Sequence, residues 1–163
     1  DRRGGSLDRY LLSADGSPLG GQEDVPDCGN WIFWDADLLR ETFQGTRWGG
    51  SGLTIVKYKG PALTRDIQGG IVMMADILGD WREELVTVSR GGRLLIYTTT
   101  IPAKDRRVCL MQDPVYRADV AHRSMGYEQP PVTSYYLGVP PTAPGETVIV
   151  VPRGSSPSPR EVP

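Results

Sequence analysis

The sequence predicts an all-β fold, and three observations carry that expectation. Glycine and proline number 20 and 14 of the 163 residues and are spread along the chain, punctuating short apolar runs as tight turns do. The runs themselves are rich in β-branched and aromatic residues, which pack well on a pleated surface. No long stretch shows sustained helical periodicity, and a single short helix is expected over 113–125.

Taken in order, residues 1–30 are polar and Gly-rich, with a strand or turn near Tyr10, Leu11 and Leu12. Trp31-Ile-Phe-Trp34 reads as a buried strand that runs straight into Asp35, Asp37 and, after two leucines and Arg40, Glu41. A second strand covers Thr54 to Tyr58 and is stopped by Lys59-Gly60-Pro61; a third covers Ile71 to Ala75 and again enters an acidic loop. Leu85 to Ser89 and Leu94 to Tyr97 flank Arg90-Gly91-Gly92-Arg93, which predicts a hairpin with a primed turn and both glycines at positive φ. After Gly138 the composition changes to Pro/Ser-rich sequence with one short strand candidate, Thr147 to Val151. Residues 1–138 are therefore expected to form the sheet-built part and 139–163 a tail or linker.

The acidic loops repeat. Their first aspartates, Asp35 and Asp76, lie 41 residues apart. A period near forty with about four short antiparallel strands per unit is the signature of β-propeller blades. At this length the chain supplies only three or four such blades, some of them incomplete, so it reads as part of a ring rather than the whole.

Charge excludes some functions. With 18 basic and 20 acidic residues the formal net charge is -2, which argues against nucleic acid as the partner. No apolar run is long enough for a membrane-spanning helix. The single histidine, His122, cannot form a histidine metal cluster and leaves zinc-enzyme and Ser-His-Asp readings little support. Cys28 and Cys109 either pair or stay buried as thiols. Trp34 and Trp81 read as core, and Trp48, followed by Gly-Gly-Ser-Gly, as an exposed platform for a sugar face.

Asp76, Asp80 and Glu84 stand at positions 1, 5 and 9 of a short loop. Calcium is a hard cation that takes six to eight oxygens, and alternating carboxylates and carbonyls of a tight loop supply them. Gly79 permits the bend, while Leu78 occupies a position where a richer loop would carry Asp or Asn. The competing reading is a solvated turn in which Arg82 pairs with one of the acids. Asp35 and Asp37, with Glu41, form a weaker version of the same pattern.

Several stretches in one order carry a resemblance. They are Trp34-Asp-Ala-Asp-Leu-Leu-Arg-Glu41, Ala75-Asp-Ile-Leu-Gly-Asp-Trp-Arg-Glu-Glu84, Tyr97-Thr-Thr-Thr100, Leu110-Met-Gln-Asp-Pro-Val-Tyr-Arg117, and Tyr127-Glu-Gln-Pro-Pro131 with Tyr135-Tyr-Leu-Gly138. From about Gly5 to Gly138 the series resembles the C-terminal part of polysaccharide lyase family 11, the rhamnogalacturonan lyases. The resemblance implies an eight-bladed, calcium-binding propeller, its remaining blades N-terminal to this chain, that is secreted and cleaves the rhamnose–galacturonate backbone of pectin by β-elimination. It also implies that the stretch before Ala75 lines the substrate groove, which singles out Arg65 and Gln68, and that Tyr127 faces the same groove. Gln68 stands where the family carries a lysine that is its candidate base, and glutamine takes no proton. Either another base serves, with Arg65 the nearest candidate, or the polymer differs, or the chain belongs to a non-catalytic propeller that binds acidic polysaccharide.

Overall fold

A computed structural model describes residues 10–13, 15–25, 30–45, 52–127 and 129–138. The tail from 139 onward, Cys28 and Trp48 lie outside the described residues, and Cys109 carries a free thiol.

Among the described residues three antiparallel sheets account for the strands. A ribbon pairs β1 (Leu11–Leu12) with β2 (Pro18–Gly20). The second sheet takes β3 (Trp31–Ile32), β4 (Glu41–Gln44), β5 (Leu53–Val56) and β6 (Ala62–Ile67) in sequence order. The third takes β7 (Gly70–Ala75), β8 (Glu84–Val88) and β9 (Leu94–Tyr97), also in order. Among the described residues one α-helix, α1 (Pro114–Ser124), follows them. None of the described helices is long and apolar enough to cross a membrane.

Local chemistry explains most of these boundaries. Asp113 caps α1 by accepting the Val115 N–H, and Pro114 takes the first helical turn, where a missing N–H costs nothing. Tyr116, Val120 and Arg123 form the buried face of α1, a spacing of four and three. The expected hairpin between β8 and β9 is present, but its turn differs from the primed form. Gly92 alone of the glycine pair has positive φ, +72°, with Gly92 N–H on Ser89 O and Ser89 N–H on Arg93 O. That is a type I turn followed by a left-handed glycine, a three-residue loop that restores the strand twist with one glycine rather than two. Trp31 to Trp34 is strand only through Ile32, because the Phe33 and Trp34 N–H groups turn to the carboxylates of Glu83 and Glu41. β4 and β6 have no clear sequence signal; each carries polar or charged residues and is held by pairing on β5.

Two apolar clusters fix the layers. In one, Ile32, Trp34, Phe43, Leu53, Ile55 and Ile67 meet Met74 and Leu85, so the four-stranded sheet packs face to face on the three-stranded sheet. In the other, Phe33, Ala75, Trp81, Leu110, Tyr116, Val120 and Leu137 join the loop ends to α1. Trp34 and Trp81 are both core, as expected. Trp81 has φ +68°, rare for a bulky residue, and is held there by Trp81 N–H on Asp76 Oδ2, by Nε1 on Asp105 O and by edge-on contact with Phe33.

The Tyr116 hydroxyl ties α1 to the loop between β7 and β8, donating to Glu83 Oε1 at 2.8 Å and accepting the Asp76 N–H at 3.0 Å. Tyr116→Phe is expected to cost about 1–3 kcal/mol, because it strands a buried amide and a buried carboxylate oxygen. Urea unfolding checks this, and a loss below about 0.5 kcal/mol would show that the hydroxyl is dispensable.

Candidate functional site

The loop β3–β4 and the loop β7–β8 are two copies of one device. Ile32 pairs with Glu41 and Ala75 pairs with Glu84, so each loop closes over the same nine-residue separation. In each, the closing glutamate returns Oε2 to an N–H seven residues back, Glu41 to Trp34 and Glu84 to Ile77. In each, an aspartate four residues before that glutamate accepts the N–H two residues on, Asp37 from Leu39 and Asp80 from Arg82. The loops therefore superpose at an offset of 43 residues rather than the 41 separating their first aspartates, and Asp35 falls on Leu78 instead of Asp76. Spacing alone misaligned them because only hydrogen-bond register shows which acid closes the loop.

The second loop spends its carboxylates on backbone. Asp76 accepts four N–H groups, Gly79 and Asp80 on Oδ1, Trp81 and Leu110 on Oδ2, which uses every lone-pair position a carboxylate offers. Glu84 accepts Ile77 N–H, Leu78 N–H and the Thr98 hydroxyl. Asp80 is paired with the Arg82 guanidinium, whose other arm reaches Ile101 O. Asp76, Asp80 and Glu84 thus point at amides and an arginine, and among the described residues their oxygens do not form a group close enough to share one metal ion.

The first loop does fit one. Asp35, Asp37 and Glu41 each offer an oxygen within 4.8 Å of the other two. Glu41 is fully buried, and its Oε1 has no hydrogen-bond partner. Burial pushes the Glu41 carboxyl up to about 7, with Asp35 and Asp37 adding to the rise and the Trp34 N–H opposing it. Lys57 closes the group from the β5–β6 turn, its ammonium on both Asp35 and Asp37. Against partial burial, Lys57 holds Asp37 below its ordinary value, and the two aspartates hold the lysine above its own. Nothing in the spacing flags Lys57, which lies 22 residues from Asp35 in sequence.

Glu83 also escaped sequence reasoning, because three adjacent charges in Arg82-Glu83-Glu84 look like a solvated turn. It is fully buried, accepts Phe33 N–H on Oε2 while Glu83 N–H donates to Phe33 O, and accepts the Tyr116 hydroxyl. Arg40 lies 3.8 Å from Glu83 Oε1, stacks on the Phe33 ring and donates to Pro131 O.

The residues expected at the substrate groove occupy two places. Arg65 is exposed on β6, and Gln68 lies in the β6–β7 turn at the same end. The Gln68 main chain is pinned on both sides, its N–H on the Tyr97 hydroxyl and its carbonyl on Thr87 Oγ1, while its side-chain amide donates to Asp66 O. Tyr127 follows the C-terminal end of α1, exposed, with its ring 5.8 Å from that of His122.

Residues 6–146 match the family described as rhamnogalacturonan lyase family 11, C-terminal domain. The chain is 41% identical over 136 residues to the rhamnogalacturonan endolyase YesW of Bacillus subtilis (strain 168), covering 78% of this chain and 22% of that protein. It is 36% identical over 132 residues to the exolyase YesX of the same organism, covering 71% and 22%. The crystal structure of YesW superposes with a TM-score of 0.61 at 37% identity over 79% of this chain and 23% of that one. That of the exotype YesX gives 0.65 at 28% identity over 81% and 25%. The chain thus spans about a fifth of the length of the curated relatives it matches.

Asp76→Ala is expected to cost about 3–5 kcal/mol, since it leaves the buried Trp81 and Leu110 amides without an acceptor. The loss should be equal in calcium and in chelator; a loss confined to calcium-loaded protein would restore a metal to this loop. Asp80→Ala, at a half-exposed pair, should cost at most about 1 kcal/mol. Burial also raises the Glu83 carboxyl above its ordinary 4.5, against the opposing pull of Arg40, the Phe33 amide and Tyr116. The folded protein therefore keeps a proton that the unfolded chain releases. That contribution is full below pH 4.5 and is lost as pH rises through the folded value. Glu83→Gln should flatten the decline, read as unfolding midpoints across the acid-to-neutral range.

Proposed function

The chain belongs to rhamnogalacturonan lyase family 11, corresponding to its C-terminal domain, and on that premise we propose that it forms the last blades of a secreted β-propeller lyase. The reaction proposed is β-elimination at the rhamnose–galacturonate linkages of pectin. The observation that carries it is similarity, over the same stretch, to both an endolyase and an exolyase of rhamnogalacturonan. Those relatives share a polymer and differ in mode of attack, so the polymer class transfers while the mode does not. The propeller reading rests on two stacked antiparallel sheets whose loops share one hydrogen-bond register at an offset of 43 residues.

β-Elimination removes the C5 proton of galacturonate and expels the O4-linked sugar, so a site must neutralise the uronate carboxylate and accept a proton. Arg65 brings a permanent, forked positive charge suited to a carboxylate. Tyr127 brings an exposed ring face and a phenol, aligned by His122. Gln68 hydrogen-bonds but takes no proton, so the base is another group, and the pinned β6–β7 turn makes Gln68 a positioning element. A calcium-type divalent cation held by Asp35, Asp37 and Glu41 would supply the positive charge that binds the β3–β4 loop together.

Gln68 favours a second reading, a non-catalytic propeller that keeps the groove and binds acidic polysaccharide without cutting it. Incubating the complete protein with rhamnogalacturonan in calcium, and following the ultraviolet absorbance of unsaturated uronate, separates the two. Under the lyase reading absorbance rises, and Arg65→Ala reduces kcat/KM by roughly 10–1000-fold through lost carboxylate neutralisation. Binding without any unsaturated product would leave the non-catalytic reading standing and end the lyase one.

A further inference from the structure

The first loop already faces a cation, supplied by the neighbouring β5–β6 turn. The Lys57 ammonium contacts Asp35 Oδ2 and Asp37 Oδ2, two of the three carboxylates that come within ligand distance of one another. The third, Glu41, keeps a buried oxygen that no hydrogen bond uses, so the lysine answers only part of the site. We propose that Lys57 is an exchangeable occupant of this site. In this view the ammonium and a hard divalent cation compete for Asp35 and Asp37, and Lys57 sets the cation concentration at which the loop is loaded. The proposal rests on the reading above that this loop takes a divalent cation.

The geometry favours exchange over a permanent ion pair. The Lys57 main chain is fixed by the β5–β6 turn, with Lys57 N–H on Pro61 O and Gly60 N–H on Lys57 O, so the side chain can leave without disturbing the backbone. That side chain is 31% exposed. It borders a polar cleft of about 250 Å³ lined also by Glu23, Thr42, Gln44 and Tyr58, which offers water and a carboxylate to a displaced ammonium. Asp24, also in the cleft, is already paired with Lys59.

The second loop supplies the contrast within one molecule. Asp80, the counterpart of Asp37, is paired with Arg82, whose side chain is only 10% exposed and also donates to Ile101 O. A planar guanidinium held at two ends is a fixed plug, whereas an ammonium on a flexible four-carbon stem is not. One loop is thus closed for good by arginine and the other reversibly by lysine.

The test is calcium titration of the full chain by calorimetry, for the wild type, Lys57→Met and Asp37→Asn. If the lysine occupies the site for 90–99% of the time, its removal should tighten binding by roughly 10–100-fold, while Asp37→Asn should abolish the same event. In chelator, Lys57→Met should melt below the wild type, because three carboxylates face one another unpaired, and calcium should restore it. Equal affinities for wild type and Lys57→Met, or weaker binding by the variant, would overturn the competition and leave the metal site intact. No calcium bound at this loop by either protein would overturn the metal reading itself. Should Lys57→Met fail to fold, the Lys57 ammonium resonance of the wild type decides. It should vanish as calcium binds, and persistence alongside bound calcium would overturn the proposal.

Discussion

The structure hangs on a buried carboxylate. Glu83 receives the Phe33 amide and the Tyr116 hydroxyl on its two oxygens, while its own N–H returns to Phe33 O. Those contacts join the first loop, the second loop and α1, three elements that apolar packing alone would let slide past one another. A buried carboxylate is costly unless its lone pairs are met, and here they are met by groups from separate elements, so displacing any one of them exposes the cost. The Arg40 guanidinium, laid on Phe33 and anchored on Pro131 O, extends the same network to the segment after α1.

Carboxylates serve throughout as acceptors for irregular backbone. The turns between strands leave amides with no ladder partner, and Asp76 alone takes four of them. The two loops share this logic in their closing glutamates and diverge in their cations. Where one recruits Arg82 from within the loop, the other recruits Lys57 from a neighbouring hairpin and retains a buried, unused oxygen on Glu41. Loops of similar acidity in sequence therefore differ in what they can bind, because affinity for a cation depends on lone pairs left over after the backbone is served.

The proposed substrate end obeys a different constraint. Arg65 and Gln68 project from the junction between the two packed sheets, and the main chain there is clamped by Tyr97 and Thr87 of the second sheet. A groove wall built on such a junction inherits the rigidity of the sheets, which suits the positioning of a stiff, charged polymer. The exposed Tyr127 is reached through α1, whose placement depends on Tyr116 and hence on Glu83.

By itself the sequence determined the all-β class, the positions of most strands, the short helix, the core role of Trp34 and Trp81, and the family. These follow from local rules, since β-branched runs, glycine turns and capping residues act over a few neighbours, and motif order survives without coordinates. β4 and β6 were not legible, because polar strands of this kind are held by pairing on β5 rather than by their own periodicity. The acidic loops were legible as a repeat but not in register, and their acids not in role. Only the tertiary structure decided that Asp76 holds amides, that Asp35, Asp37 and Glu41 converge, that Lys57 reaches them from 22 residues away, and that Glu83 is interior. The physical reason is that a carboxylate's function is set by which donors surround it, and those donors come from segments that only folding brings together.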